Sequence, residues 1–188
     1  KINLMDRVIT ISNHSKQVIE STQYKGVVKG TDQEVELSCN VPIDIVHYPV
    51  KKCTPCEIEL NLEYDFNYLI VAQWGPRKNI ENSIKWWIEE NFDEEVGLVV
   101  KTSMKNNSII DKQHVYNSLR DFIKSISTPD MKCKVYLLHG DMEEEELQYL
   151  YIHPKIKCLI SLTHGEGFGL PLFDAACHGL PIIAPGWS

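Results

Sequence analysis

Five unbroken apolar runs, each separated from the next by an amphipathic stretch, constrain the fold of this chain more than any other feature. The runs lie at residues 68–73, 96–101, 135–139, 159–163 and 182–184. Because none of them alternates apolar with polar residues, each run predicts a strand that is buried on both faces. Strands of this kind belong to parallel sheets that are covered by helices on both sides.

The stretches between the runs predict helices. In residues 80–91, Ile80, Ile84 and Ile88 fall on one face and charged residues fall on the other. Asn79 precedes this stretch and is the expected N-cap. A second helix with the same periodicity is predicted at residues 112–126.

Two further helices are predicted from their end signals. One is expected to begin with Asp141 as its N-cap, before an acidic first turn that suits the positive end of a helix dipole. The other covers residues 170–178, with Pro171 in its first turn and Gly179 in a left-handed conformation after its end. Repeated strand–helix–strand units imply right-handed crossovers, so the predicted fold class is α/β, a doubly wound parallel sheet.

The N-terminal third of the chain has a different pattern. The elements predicted there are a strand, a helix and two strands, at residues 8–12, 15–21, 35–37 and 43–48. This portion is too small to be a stable domain alone, and residues 49–65, with their prolines and polar groups, predict a linker. We therefore divide the chain into residues 1–65, the tail of one domain with its linker, and residues 66–188, a second domain.

Charge and hydrophobicity exclude several classes of protein. The 19 Lys and Arg and 26 Asp and Glu residues give a formal net charge of −7, and no stretch is basic enough to follow a phosphate backbone. No apolar run approaches the roughly 18 to 20 residues of a membrane-spanning helix, and the first residues lack the apolar core of a secretory signal. We expect no nucleic-acid partner and a cytoplasmic location.

The six cysteines include one CxxC pair. Cys53 and Cys56 leave three interpretations open: two thiols in a turn of the linker, part of a zinc site with Cys39 as a third ligand, or a redox motif. The sequence shows neither a second pair of ligands at suitable spacing nor a strand that leads into a helix at the motif, so the turn is favoured. The seven histidines show no metal-ligand spacing either, and no metal site is predicted.

Ligands of open parallel sheets bind beyond the carboxyl ends of the strands, so the loops at that edge hold the candidate site. The loop after the first strand carries Arg77 and Lys78 just before a helix. Two cations beside exposed backbone amides predict a phosphate-binding site. The alternative is a solvated pair of surface side chains.

The loop after the fourth strand, at residues 164–174, is richest in candidate residues. Its three glycines let the backbone approach a ligand closely, and the amides at the start of the next helix point toward that ligand. Glu166 and Asp174 flank the helix start, and an ionised carboxylate accepts hydrogen bonds from neighbouring hydroxyls. A phosphate with sugar hydroxyls beside it is the ligand indicated, and a tight turn with a capping acid is the alternative.

Residues 164–184, HGEGFGLPLFDAACHGLPIIA, closely resemble the signature segment of the group 1 retaining glycosyltransferases, which have the two-domain GT-B architecture. The family pattern is two acids separated by seven residues, here Glu166 and Asp174, with Asp where the family usually has Glu. Residues 76–80 resemble the lysine loop of the family and residues 138–140 its glycine turn. Residues 6–15 resemble the last strand and helix of its N-terminal domain.

The resemblance implies a role for each matching residue. Lys78 is expected to contact the diphosphate of a nucleotide sugar. Gln73 holds the place of an Arg that helps this lysine in many members, so either Arg77 substitutes for that Arg or the diphosphate is held less tightly. Glu166 is expected to hold hydroxyls of the transferred sugar and Asp174 the ribose. The remaining donor-binding positions are the loop residues and amides at His164, Gly167, Phe168, Gly169 and Leu170, and the turn at Gly140, which is expected to lie against the base.

The implied reaction is transfer of a glycosyl unit from a nucleoside diphosphate sugar to an acceptor, with retention of the anomeric configuration. Lys78 and Glu166 are the residues expected to carry the chemistry. No metal or other cofactor is implied, since Lys78, Arg77 and a helix dipole can stabilise the departing diphosphate. The sequence also has no Asp-x-Asp pair of the kind that holds a divalent ion in the other main glycosyltransferase architecture.

The resemblance covers only the tail of the family's N-terminal domain and most of its donor domain. We therefore expect a fragment, incomplete at both ends, that binds a nucleotide sugar without turning it over. The acceptor is left open among saccharides, lipid-linked molecules and proteins, and so are dimerisation and a peripheral membrane location of the full-length enzyme. The alternative function is a non-catalytic, Rossmann-like module for nucleotide binding or assembly.

Overall fold

The computed structural model describes residues 2–50 and 53–186. The chain divides into two compact units, residues 1–50 and residues 51–188. Two residues of the predicted linker, at 51–52, and the last two of the chain, at 187–188, lie outside the described residues. The predicted domain boundary after residue 65 stays a prediction.

The first unit is a small α/β arrangement. Its elements are a 3-10 turn, a strand, a helix and three strands, namely Ile2–Leu4, β1 Val8–Thr10, α1 Asn13–Ser21, β2 Tyr24–Val27, β3 Glu34–Leu37 and β4 Ile43–Ile45. Strands β1 and β4 pair in parallel, and β2 and β3 form an antiparallel hairpin. Ser12 caps α1 by accepting a hydrogen bond from the amide of Ser15 at 3.1 Å. The sequence interpretation missed β2.

The second unit is a five-stranded sheet with four helices. Its elements alternate regularly as β5 Asn67–Val71, α2 Ile80–Asn91, β6 Gly97–Lys101, α3 Ile109–Ile126, β7 Lys134–Leu138, α4 Glu144–Ile152, β8 Ile156–Ile160, α5 Leu170–Cys177 and β9 Ile182–Ile183. The strands are all parallel in the order β7-β6-β5-β8-β9. The predicted doubly wound α/β sheet is confirmed.

Two hydrophobic clusters cover the two faces of this sheet. One contains Ile70 and Val100 and packs against α2 and α3, whereas the other contains Leu69 and Val99 and packs against α4 and α5. Neighbouring residues of a strand point to opposite faces, so adjacent positions of β5 and β6 enter different clusters. This explains why each strand is an unbroken apolar run.

Residues 53–65 of the predicted linker belong to the second unit, and some of them pack on its sheet. Leu62 is buried in the cluster beneath α4 and α5, and Ile58 and Leu60 pack against the same cluster. The amide of Cys56 donates to the carbonyl of Glu145 at 3.0 Å, and the hydroxyl of Tyr64 donates to the carbonyl of Lys132 at 2.8 Å. These contacts hold residues 56–64 against the sheet domain.

Several predicted boundaries in the second unit are wrong, among them the starts of α3 and α4, the end of β5 and both ends of β8. Helix α3 begins three residues before the predicted start, because Ser108 caps it through the amide of Asp111. Helix α4 is capped by Glu143, not by Asp141, because Glu143 and Glu146 form a reciprocal capping box. Strand β8 ends at Ile160, so the predicted strand residues 161–163 belong to the loop that follows it.

Asn79 occupies the predicted cap position in an unexpected way. Its backbone is left-handed, with a φ of 53°, and its side chain does not cap α2. The side-chain amide instead donates to the carbonyl of Leu162 at 3.0 Å. The predicted left-handed Gly179 is confirmed, with a φ of 73°. None of the helices in the described ranges is both long and apolar enough to cross a bilayer.

Candidate nucleotide-sugar site

The candidate site lies at the point where the winding of the sheet reverses. Strands β5 and β8 are neighbours, but the chain leaves β5 toward β6 on one side and leaves β8 toward β9 on the other. The loops that follow these two strands therefore part from each other and leave a crevice at the carboxyl edge. These are the two loops that carry the predicted cations and the predicted carboxylate.

Hydrogen bonds join the two loops directly. The loop after β5 contains a 3-10 turn, Pro76–Lys78, and the carbonyl of Arg77 accepts bonds from the amide of His164 and the hydroxyl of Thr163, both at 2.9 Å. The side chain of Asn79 adds its bond to Leu162. Because a backbone carbonyl accepts each of these three bonds, the loop that carries Arg77 and Lys78 is held directly against the loop that carries Glu166.

Glu166 binds both predicted cations. Its Oε1 lies 2.5 Å from Nζ of Lys78, and its Oε2 lies 3.2 Å from Nη1 of Arg77. The same Nη1 donates to the carbonyl of Gly165 at 2.5 Å. The side chains of Lys78 and Glu166 are only 17% and 13% exposed, whereas that of Arg77 is 58% exposed. Lys78 and Glu166 thus form the sheltered part of the cluster, with Arg77 at its rim.

The cluster keeps Glu166 ionised. Burial acts to raise the pKa of this carboxyl group, but the hydrogen bonds and charges of Lys78 and Arg77 outweigh burial, so its pKa lies below the ordinary value. At neutral pH Glu166 is therefore a carboxylate that accepts hydrogen bonds and donates none.

The amino end of α5 faces the same crevice. Gly169 is the N-cap residue and is left-handed, with a φ of 79°, so a side chain there would be strained. A glycine has no side chain to cap the helix, which leaves the first amides of α5 to other acceptors. Leu170 and Pro171 are the first residues of the helix. The ring of Phe168 packs on that of Phe173, with 5.1 Å between the ring centroids. The predicted phosphate-facing amides thus lie at a real helix start.

Asp174 lies in the second turn of α5 and is half-buried. Burial raises the pKa of this carboxyl group above its ordinary value, and the charge of His178 opposes the shift only in part. The two predicted carboxylates thus have different environments, since Glu166 has two cationic partners.

Two further loops form the other side of the site. Gln73 follows β5, and its side-chain amide donates to the carbonyl of Met104, in the loop after β6, at 2.9 Å. Nζ of Lys101, at the end of β6, lies 2.5 Å from the carbonyl of Gly140, which follows β7. Burial lowers the pKa of Lys101, with Asp141 acting in the opposite direction. The predicted glycine turn is left-handed, with a φ of 120° at Gly140.

A cleft of about 580 Å³ opens between the loop after β5 and the loop after β6. Trp74 and Asn82 line one wall, Met104 and Lys105 line the other, and His164 reaches the cleft from the loop after β8. His164 is thus a residue of the sequence-predicted site that lines the cleft. The predicted residues Gly167, Phe168, Gly169 and Leu170 are not among the residues that line this cleft.

A buried pair of residues was missed by the sequence interpretation. Oδ2 of Asp111 lies 2.9 Å from Nε2 of His139, and the two side chains are 7% and 1% exposed. Ser108 and Asp111 have the spacing of a capping box, which was a signal for the start of α3. Nothing in the sequence pattern linked Asp111 to His139, because the contact depends on β6 and β7 being neighbours.

Metal binding has no cluster of ligands to support it within residues 2–50 and 53–186. No group of three or more His, Cys, Asp or Glu side chains there is placed to hold a metal ion. Cys53 is half-buried and Cys56 is exposed, and both are free thiols. The role of this CxxC pair stays open.

The sequence matches no family model and no curated protein. Solved structures of glycosyltransferases nevertheless share its fold. The E. coli trehalose-6-phosphate structure bound with UDP-2-fluoro glucose is 7% identical, with a TM-score of 0.59 over 95% of this chain. The structure of TarM is 13% identical, with a TM-score of 0.59 over 97% of this chain. The lipopolysaccharide outer core galactosyltransferase WaaB is 15% identical, with a TM-score of 0.57 over 95% of this chain.

Each of these proteins is much longer than the aligned region. The chain spans 45% of the E. coli structure, 30% of TarM and 43% of WaaB. The likeness extends over almost all of this sequence, at identities that establish a shared fold. The protein therefore has the α/β fold of the GT-B glycosyltransferases, over less than half of their length.

Proposed function

We propose that this protein binds a nucleoside diphosphate sugar and that the complete protein transfers the glycosyl unit to an acceptor with retention of configuration. The observation that carries the proposal is the meeting of Lys78, Arg77 and Glu166 at the switch point, beside the amino end of α5. This arrangement offers positive charge for a diphosphate and a carboxylate for hydroxyl groups within one crevice.

The cations and the helix start act on the diphosphate. When the glycosidic bond to the nucleotide breaks, negative charge grows on the departing phosphate oxygens. Lys78 is sheltered from solvent, so its ammonium group interacts with that charge more strongly than a fully exposed lysine does. Arg77 adds a second donor at the rim, and the uncapped amides of α5 add the positive end of a helix dipole.

Glu166 acts on the sugar in this proposal. It is ionised and sheltered, so it can accept two hydrogen bonds from neighbouring hydroxyls of the glycosyl unit. Asp174, deeper in α5, is proposed for the ribose. The chemistry needs no metal ion, because Lys78 and Arg77 supply the positive charge that a divalent ion supplies elsewhere.

Structures with the same fold support the class of ligand. One is bound with UDP-2-fluoro glucose, and a mutant of TarM from S. aureus is in complex with UDP together with two further molecules. Both ligands contain a nucleoside diphosphate. The same class suits the crevice described above, which pairs phosphate-binding groups with a hydroxyl-binding carboxylate.

Calorimetric titration tests the proposal. Sugars linked to uridine, guanosine and adenosine diphosphate are titrated into the 188-residue chain in the presence of a chelator. We expect at least one to bind, and we expect Lys78→Met to weaken it by roughly tenfold to a hundredfold, since a charge-assisted contact is lost. Lys85→Met is the matched control, because Lys85 is an exposed lysine of α2 that pairs with Glu89. Equal binding by the Lys78 and Lys85 variants would contradict the proposal.

A second candidate function is nucleotide binding without transfer. It is favoured by Gln73, which replaces an arginine of the resembled family and whose side-chain amide is engaged by the Met104 carbonyl. Radiolabelled transfer or hydrolysis of the donor that binds best distinguishes the two functions when it is measured with the complete protein, because this chain alone is expected to bind the donor without turning it over. The acceptor, dimer formation and cytoplasmic location stay predictions from the sequence.

A further inference from the structure

The buried Asp111 and His139 pair lies behind the wall of the cleft. Asp111 is in the first turn of α3, and His139 follows β7 directly. Their side chains are joined by a bond of 2.9 Å and are almost completely shielded from solvent. A buried carboxylate of this kind is costly unless its oxygens are fully engaged, so its other contacts indicate what it does.

Asp111 holds the loop after β6 by two backbone amides. Oδ2 accepts a hydrogen bond from the amide of Met104 at 2.9 Å, and Oδ1 accepts one from the amide of Lys105 at 3.0 Å. Together with the bond from His139, both oxygens are engaged. Met104 and Lys105 are also the residues that line the cleft. The carboxylate thus fixes the backbone of the cleft wall from behind.

The same loop is bound on its other side by the loop after β5. The side chain of Gln73 donates to the carbonyl of Met104, and the amide of Trp74 donates to the carbonyl of Ser103 at 2.8 Å. Residues 103–105 therefore lie between Asp111 and the loop that leads to Arg77 and Lys78. These contacts connect Asp111 to the loop that carries Arg77 and Lys78.

His139 supplies a donor but is not itself satisfied. Its Nε2 faces Asp111, while its Nδ1 is buried with no hydrogen-bond partner among the described residues. A purely apolar side chain would avoid this unpaired atom, and buried unpaired polar atoms are uncommon. The histidine is therefore explained by what Nε2 does for Asp111, which it orients toward Met104 and Lys105.

We propose that Asp111 is a positioning residue of the donor site, oriented by His139, and that the pair holds residues 103–105 in the conformation that receives a nucleoside diphosphate. The inference rests on the proposed function. Neither residue is assigned a contact with the ligand. Their effect on binding passes through the backbone of Met104 and Lys105.

Variants of the two residues test this inference with two readouts. Asp111→Asn keeps the size of the side chain but places an amide donor opposite N–H groups, and His139→Leu removes the donor. His139→Gln keeps an N–H close to the position of Nε2. Asp121→Asn is the control, because Asp121 is an exposed carboxylate of the same helix that pairs with Arg120. The readouts are amide hydrogen exchange and calorimetric affinity for the tightest of UDP, GDP and ADP.

We expect Asp111→Asn and His139→Leu to speed exchange at Met104 and Lys105 about tenfold relative to residues 98–100 of β6, and to weaken nucleotide binding about tenfold. His139→Gln and Asp121→Asn should behave like the wild type. A merely structural role predicts faster exchange throughout the sheet and unchanged affinity of the folded fraction, and that result overturns the inference. If the wild type binds neither a free nucleoside diphosphate nor any of the nucleotide sugars, the proposed function fails and this inference fails with it. If the wild type and Asp111→Asn bind equally, only this inference fails.

Discussion

Glu166 defines the ligand-free state of the site through its contacts with Lys78 and Arg77. Both cations that are proposed to bind a diphosphate are already paired with this carboxylate, whose single negative charge offsets one of their two positive charges. A diphosphate without a sugar must compete with Glu166 for Lys78 and also meets its negative charge. A nucleotide sugar, in contrast, has hydroxyl groups that can donate hydrogen bonds to Glu166 in place of those lost from Lys78. We therefore expect the carboxylate to favour a nucleotide sugar over the free nucleotide.

Glu166→Gln tests this competition. We expect the variant to bind free UDP, or whichever free nucleoside diphosphate matches the preferred donor, about threefold to tenfold more tightly than the wild type, because a like charge is removed beside the diphosphate. The advantage of the nucleotide sugar over the free nucleotide should shrink. Calorimetry gives both dissociation constants. The control is Glu89→Gln on the exposed face of α2, and unchanged or weaker binding of the free nucleotide would contradict the competition.

Gly97 is a second position at which one added atom would disturb the packing of the sheet. A Cβ atom there would lie 1.9 Å from Oδ1 of Asn67 and 2.7 Å from Cε2 of Tyr136. Both neighbours belong to strands that flank β6 in the sheet, and Asn67 is fully buried. The absence of a side chain at this position therefore lets three strands pack closely.

Gly97→Ala should lower the free energy of unfolding by about 1 to 3 kcal/mol, the usual cost of overpacking a core. Urea unfolding followed by circular dichroism measures the change. Gly75→Ala is the matched control, because a Cβ there meets no atom within 4 Å and the backbone is extended. Equal stability of the two variants would contradict this prediction, because it would mean that β5 and β7 move to accommodate the added methyl group without loss of stability.

At the scale of secondary-structure elements, the sequence predicted types better than boundaries. The predicted α2 matches the observed Ile80–Asn91, because its apolar stripe faces one side of the sheet throughout. The start of α4 was wrong because several acidic residues compete to cap it, and the reciprocal bonds of Glu143 and Glu146 decide the competition. The prediction for β8 was displaced by three residues, because Lys157 interrupts the apolar residues at the start of the strand and Leu162 extends them beyond its end at Ile160.

Asp111, in the first turn of α3, should make the stability of the protein depend on pH. The hydrogen bond from His139 and the bonds from the amides of Met104 and Lys105 outweigh burial and lower the pKa of Asp111 from its ordinary 3.8 to about 2. A carboxyl group whose folded pKa is depressed contributes stability that is complete above its unfolded pKa and is lost as pH falls toward its folded pKa. The contribution of Asp111 should therefore disappear between about pH 4 and pH 2.

Urea unfolding at several pH values between 7 and 2 measures this contribution. The wild type should lose more stability than Asp111→Asn across the acidic window, so that the two unfolding free energies converge as Asp111 is protonated. Asp121→Asn, which removes an exposed carboxylate from the same helix, should follow the wild type. A constant difference between the wild type and Asp111→Asn at all pH values would show that the ionised state of Asp111 is not what stabilises the loop.

At the scale of the whole molecule, the sequence predicted that the candidate residues follow strands at one edge of the sheet but not the contacts that hold the surrounding loops. Lys78 and Glu166 are 88 residues apart, yet both follow strands, and the parallel order of those strands made their meeting predictable. The contact of Asp111 with His139 and the docking of residues 56–64 depend on side-chain packing between distant segments. Hydrophobic periodicity carries no information on such contacts.

The central claim is that the crevice between β5 and β8 binds a nucleotide sugar through Lys78 and Glu166. A crystal structure of this chain with the nucleotide sugar that binds best in calorimetry tests it most directly. The claim predicts diphosphate oxygens within hydrogen-bond distance of Nζ of Lys78 and of the first amides of α5, with Glu166 turned to the sugar hydroxyls. A nucleotide bound elsewhere, with the Lys78 and Glu166 pair intact, would contradict it.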